Sequence, residues 1–238
     1  MEALERHGLA DRTLVVFTSD HGDTLMSYGW PHNKGRAEHL SCRVPLILRW
    51  PGRLRPHVNE SLVGTLDLMP TILGLLGVPI PPTVDGRDLS AAILKAETDP
   101  TEELALFFFP ANWRGIYTRR YTYSFSLAPP DDHAQPPGIY DVMYDRQADP
   151  WETTNLFSSA AHAELKRELH HRTLELMQRY GDRGWRWRDL IQCVRPEDRA
   201  TVQMPAGRRP AGWEGRLLGP PLELMGKVPG TLERKDPP

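Results

Sequence analysis

The residues best suited to chemistry in this sequence follow an apolar run near its start. Residues 13–18 (Thr-Leu-Val-Val-Phe-Thr) are typical of a strand buried on both faces of a parallel sheet, and Asp20, His21 and Gly22 come directly after them. Ligands of open α/β sheets bind beyond the carboxyl ends of strands. A carboxylate beside an imidazole can provide two ligands to one divalent cation. On these residues alone, a turn-capping aspartate and an ordinary loop histidine are the simpler interpretation.

The composition excludes several classes of function. The chain has 238 residues, of which 39% are hydrophobic and 25% charged, as is ordinary for a globular protein. The net charge of −2 shows no basic excess of the kind that binds nucleic acid. No apolar run approaches the roughly 18 residues of a membrane span. We therefore expect neither nucleic acid nor a membrane as partner, and no oligomeric state is predicted.

The expected cellular location leans towards the cytoplasm. The first residues lack an apolar stretch of the signal-peptide type. The 2 cysteines, Cys42 and Cys193, lie far apart and fit free thiols in a reducing compartment.

Strands alternate with helices up to about residue 97, which predicts an α/β layer. Asp67 is expected to be the N-cap of a helix, because Pro70 falls in the first turn and Gly77 just past the end. The elements predicted here are the end of a helix at 2–9, strands at 13–18, 44–50 and 61–65, and helices at 68–76 and 89–96.

The pattern changes after residue 103. Consecutive strand-like segments joined by turns predict a small antiparallel sheet, at residues 104–109, 113–127 and 139–144. Residues 160–180 are predicted to form a helix, with leucines on one face, that completes a subdomain of residues 103–185. Residues 194–238 are rich in Pro, Gly and Arg, and we expect them to form an extended tail.

Five segments in order carry a pattern that extends far beyond the Asp20–His21 pair. They are residues 8–23, Lys34 with residues 43–52 (Arg-Val-Pro-Leu-Ile-Leu-Arg-Trp-Pro-Gly), residues 65–73, residues 84–89 and residues 140–156. Together they resemble the C-terminal part of sulfatases, in the alkaline phosphatase superfamily, over about residues 8–182. The resemblance implies an α/β fold: the C-terminal half of an alkaline-phosphatase-like mixed sheet flanked by helices (1–97), then the small antiparallel sheet with its helix.

The resemblance also implies roles for individual residues. Asp20 matches a family metal ligand, usually to calcium. His21 stands where many members have Asn and others, including related phosphonate and phosphate-ester hydrolases, have His, so Mn, Mg and Zn stay open. Lys34, nine positions before Arg43 as in the family, matches the lysine that contacts the sulfate. An ammonium beside a group that gains negative charge stabilises the transition state, although a solvated loop lysine is the alternative.

His32 is a second candidate catalytic residue, two positions before Lys34. Its unperturbed pKa of about 6.5 suits protonation of a leaving alkoxide, although an exposed structural histidine explains it equally well.

Two positions depart from the family pattern. Glu38 and His39 stand where members usually have Tyr-Glu, which puts in doubt the packing that this pair supports.

The resemblance implies sulfate-ester hydrolysis with a divalent metal, on a small-molecule or glycan substrate. Sulfatases need a Cys or Ser in a C/S-x-P-x-R motif, and neither Cys42 nor Cys193 fits it. The family's first pair of metal-binding aspartates has no match either. We therefore expect the chain alone to be inactive. The alternatives are a phosphonate or phosphate mono/diester hydrolase of the same superfamily, and a non-catalytic fragment or binding module.

Overall fold

The computed structural model describes residues 1–29, 34–107, 113–127 and 139–182. No helix within these ranges is long and apolar enough to cross a membrane. The helices are α1 (Glu2–Arg6), α2 (His39–Cys42), α3 (Thr65–Leu76), α4 (Ser90–Lys95) and α5 (Ala163–Arg179), with 3-10 turns at Ala10–Arg12 and Ala160–His162. The strands are β1 (Val15–Thr18), β2 (Leu46–Arg49), β3 (Glu103–Leu106), β4 (Trp113–Thr118), β5 (Tyr121–Ser126) and β6 (Val142–Asp145).

β1 and β2 form a two-stranded antiparallel sheet, with Val15 opposite Arg49 and Thr18 opposite Leu46. Phe17 and Ile47 are paired in this register, and their exposed fractions are 58% and 57%. The expectation that β1 is buried on both faces is therefore wrong for this structure. An apolar run shows only that a strand can be buried. Neighbouring elements must pack on it, and the described residues leave the side chains of Phe17 and Ile47 exposed.

The predicted strand at residues 61–65 is also wrong. This segment is irregular, and side chains satisfy its backbone in place of a neighbouring strand. Asn59 Oδ1 accepts the Ser61 N–H at 2.9 Å, and the Leu62 carbonyl accepts from Arg87 Nη2 at 2.8 Å. Local apolar composition does not distinguish these two ways of pairing the backbone.

α3 begins one turn earlier than expected, at Thr65, and Asp67 is not its N-cap. Gly64 is the N-cap, and Asp67 at the third helical position accepts the Gly64 N–H through Oδ2 at 2.9 Å. Pro70 consequently lies inside the helix, beyond its first turn. Gly77 ends the helix as predicted, in the left-handed conformation with φ 68°.

The second sheet has four antiparallel strands in the order β3-β4-β5-β6. The single strand-like stretch predicted at 113–127 is a hairpin, because the chain reverses at Arg119 and Arg120. Thr118 Oγ1 accepts the N–H groups of Arg120 and Tyr121 at 3.2 and 2.7 Å and stabilises this turn. Alternation of polar and apolar residues continues through the turn and does not reveal it.

α5 packs on this sheet, and the helix predicted at 160–180 is confirmed except that its first three residues are a 3-10 turn. Leu169 and Leu176 bury their side chains against Ile116, Tyr123 and Met143. The predicted tail (194–238) lies outside the described residues.

Candidate active site

The turn after β1 brings a carboxylate and an imidazole together. Asp20 Oδ2 lies 3.4 Å from His21 Nε2, and the exposed fractions of the two side chains are 82% and 39%. Ser19 Oγ and the His21 backbone N–H both donate to Asp20 Oδ1, at 3.3 and 2.9 Å. The bond from the His21 N–H is the main reason why the pKa of Asp20 lies below its ordinary value. The carboxylate is therefore ionised at neutral pH and faces solvent.

The orientation of the His21 ring directs the lone pair of one nitrogen towards Lys34. Nδ1 lies 2.7 Å from the Gly22 carbonyl oxygen, which can only accept, so Nδ1 carries the ring proton. Nε2 then has a lone pair, and Lys34 Nζ lies 3.1 Å from it. The structure thus brings Asp20, His21 and Lys34 into one exposed cluster. His32 lies outside the described residues.

Gly22 allows this turn to sit directly on α2. The Gly22 N–H donates to the Ser41 carbonyl oxygen at 2.8 Å. A Cβ at Gly22 would lie 2.0 Å from the Leu40 carbonyl oxygen, a distance that backbone atoms cannot accommodate. Glycine is needed here for close approach of two backbone segments.

The segment that carries Lys34 is held from its other side by the four-stranded sheet. Trp113 Nε1 in β4 donates to the Gly35 carbonyl at 2.9 Å, and Ala37 packs against Trp113. Arg36 and Glu38 are both buried and form an ion pair, with Arg36 Nε donating to Glu38 Oε2 at 2.9 Å. Buried polar contacts therefore fix the backbone on both sides of residue 37.

Glu152 is the residue that the sequence analysis missed. It is fully buried, and its Oε2 accepts the His39 backbone N–H at 2.6 Å, while His39 Nδ1 lies 3.0 Å from the same oxygen. Its other oxygen, Oε1, accepts the Thr122 hydroxyl at 2.5 Å. The sequence does show Glu152 in the Asp-Pro-Trp-Glu stretch, but its partner His39 lies 113 residues away, so the contact could not be inferred from the sequence. At the two departing positions, Glu38 forms an ion pair with Arg36, and the His39 backbone N–H donates to Glu152.

Asp20 and His21 fit a divalent cation as a partial donor set. Metal–ligand bonds of about 2.0–2.4 Å place adjacent ligands roughly 3 Å apart, close to the 3.4 Å between Asp20 Oδ2 and His21 Nε2. Within the described residues, no group of three or more His, Cys, Asp or Glu side chains could hold a metal ion. These two residues can therefore supply two ligands, and any others must come from elsewhere.

Comparisons with known proteins agree with this fold. The sequence model of the sulfatase family matches residues 1–78. Human arylsulfatase A is 34% identical in an alignment of 193 positions that covers 68% of this chain and 37% of that protein. A solved structure in complex with its substrate D-glucosamine-2-N,6-O-disulfate has a TM-score of 0.64 at 27% identity, covering 76% of this chain and 37% of that one. A phosphonate monoester hydrolase from Silicibacter pomeroyi has a TM-score of 0.58 at 27% identity, covering 77% and 38%.

These similarities confirm the predicted fold class, and they cover about three quarters of the chain, well beyond the matched family segment. The chain spans about a third of the length of the curated relatives it matches. It belongs to the sulfatase family of the alkaline phosphatase superfamily.

Proposed function

We propose that this chain contributes part of the active site of a sulfate-ester hydrolase. The observation that carries the proposal is the contact of Lys34 Nζ with His21 Nε2 beside the ionised Asp20, at the end of β1. A cation and two metal-ligand donors are thus within reach of a single sulfate-sized anion.

Asp20 and His21 would hold a divalent metal, with calcium as the proposed ion because it matches family usage. Such a metal, when bound, would polarise oxygens of the sulfate group. Lys34 would neutralise charge that develops on the sulfate and on the leaving oxygen. The Nδ1–H bond to Gly22 leaves Nε2 as the metal donor, and Lys34, which contacts this lone pair here, would turn to the sulfate when a metal takes its place.

The proposed substrate is a small-molecule or glycan sulfate ester. The relative that was solved with a glucosamine disulfate supports this class for a protein of the same fold. Protonation of the leaving alkoxide by His32 and a cytoplasmic location stay predictions.

A phosphonate or phosphate ester hydrolase is the second candidate. Two observations favour it: a histidine at position 21, and the similarity to a phosphonate monoester hydrolase. Both chemistries need a cation beside a tetrahedral anion, so Lys34 would serve either. The relative affinities for inorganic sulfate and methylphosphonate would discriminate between them.

The test is ligand binding, which needs no catalytic nucleophile. Calorimetric titration of the chain with Ca²⁺ or Mn²⁺ should give weak binding, because two protein ligands are far fewer than the roughly six that hard cations take. Asp20→Asn should abolish it, whereas the exposed control Asp11→Asn should not. Sulfate, titrated with the metal present, should bind about tenfold more weakly to Lys34→Met, equivalent to about 1.4 kcal/mol, and unchanged to Lys95→Met. Equal sulfate affinity in both lysine variants would refute the proposed site.

A further inference from the structure

Glu152 connects two parts of the molecule that the sequence separates widely. Its side chain is fully buried, so its carboxyl oxygens must be matched by hydrogen-bond donors. Those donors come from β5, through the Thr122 hydroxyl, and from α2, through the His39 backbone N–H. Glu152 therefore bridges the four-stranded sheet and α2.

The backbone conformation of Glu152 indicates that surrounding contacts hold this residue in place. Its φ is 53°, in the left-handed region that non-glycine residues rarely adopt. Such conformations cost energy and persist where surrounding contacts fix them. Here the Glu152 N–H closes a turn onto the Asp149 carbonyl at 3.1 Å, and the carboxylate is directed into the interior.

α2 is also the surface on which the candidate site rests. Ser41 accepts the Gly22 N–H through its carbonyl, and its hydroxyl accepts the Arg36 N–H at 3.3 Å. One short helix thus contacts both the turn that carries Asp20 and His21 and the segment that follows Lys34. Any displacement of α2 would change the separation of these side chains.

We propose that Glu152 is a positioning residue for the candidate site. By holding His39, it fixes α2 against β5 and thereby sets the distance between Lys34 and the His21 ring. The purpose of that site rests on the proposed function, but the positioning can be measured without catalysis.

The experiment compares three substitutions in the full chain. Glu152→Gln keeps an oxygen that accepts the His39 N–H and an amide that can donate to Thr122 Oγ1. Glu152→Asp keeps a carboxyl group but shortens the side chain, and so must draw α2 towards the sheet or lose a contact. Leu169→Ala is the matched control, because it disturbs the core between α5 and the sheet without touching α2.

Two groups of resonances report on position: those of the Gly22 backbone amide and those of the two His21 ring nitrogens. We expect Glu152→Asp to shift both, and to weaken the binding of inorganic sulfate about tenfold, whereas Glu152→Gln keeps the wild-type values. Leu169→Ala should lower the unfolding temperature and leave both resonances unchanged.

The inference is overturned if Glu152→Asp leaves the Gly22 and His21 resonances where the wild type has them. It is also overturned if Leu169→Ala moves them as far, since general destabilisation would then explain the effect. Failure of the proposed function looks different, because wild-type protein would not bind sulfate at all while Glu152→Asp still shifted the two resonances.

Discussion

The contact between Gly22 and α2 leads to a quantitative prediction. In Gly22→Ala the new Cβ would lie 2.0 Å from the Leu40 carbonyl oxygen and 3.1 Å from the Arg43 carbonyl oxygen. Both obstacles are backbone atoms, so they cannot rotate away as a side chain could. The turn must move, and the bond from the Gly22 N–H to Ser41 is lost with it.

The expected cost combines two effects. Overpacking of a tight site costs about 1–3 kcal/mol, and a lost hydrogen bond adds about 1 kcal/mol. A destabilisation of about 2–4 kcal/mol corresponds to a fall of roughly 5–15 °C in the unfolding midpoint of a chain of this size. Displacement of the turn should also separate Asp20 and His21 from Lys34, so metal and sulfate binding should weaken together.

The assay is thermal unfolding followed by circular dichroism, with Gly64→Ala as the matched control. A Cβ at Gly64 would meet Asp67 Oδ2 at 3.6 Å and Leu104 Cδ2 at 3.8 Å, which are ordinary contacts. This control should therefore lower the midpoint only slightly. If both variants unfold at the same temperature, the turn at Gly22 does not pack closely on α2. The proposal that α2 positions the turn would then be wrong as well.

Three further outcomes are expected. The isolated chain with added calcium should show no measurable turnover of an aryl sulfate, because its sequence has no nucleophile in the required motif; robust turnover that is lost in Lys34→Ala would show a complete enzyme. Hydrogen bonds from Arg120 hold the pKa of Asp145 below its ordinary value of 3.8. The ionised Asp145 therefore stabilises the fold at pH values above 3.8, and this stabilisation is lost as the pH falls through the lower pKa of the folded state. Asp145→Asn should therefore flatten the acid limb of the stability–pH curve measured by chemical denaturation, and an unchanged limb would contradict this. Replacing exposed Phe17 and Ile47 by Ser and Thr should reduce aggregation measured by light scattering, whereas equal scattering would show that these side chains are covered in solution.

Local patterns in the sequence predicted those elements that are stabilised by their own residues. The leucine face of α5 and the glycine that ends α3 are examples, because both signals lie within the element itself. The same patterns failed where a distant group decides the outcome. Residues 61–65 are irregular because Arg87 binds their backbone, and Phe17 is exposed because no described residues cover it.

The candidate site shows the same division. The order Asp20, His21, Lys34 could be selected from the sequence, and the structure brings the three side chains together, although their roles stay predictions. The sequence could not reveal what holds them there. No residue near Gly22 in the sequence reveals that the Leu40 carbonyl lies beside it, and no residue near Glu152 reveals its contact with His39.

The charges around the site indicate what a functioning assembly would have to add. The described residues place one cation, Lys34, against two donors, Asp20 and His21, and the buried charges nearest to them along the chain already have partners. A hard divalent ion takes about six ligands, so two donors hold it loosely, and a loosely held ion cannot fix a sulfate group for in-line attack. If the proposed function holds, activity would need further anionic ligands and a nucleophile from outside the described residues, on the exposed side of the Asp20–His21 turn. The buried contacts of Glu152 and Gly22 would then act as the fixed half of the site, against which those added groups must align.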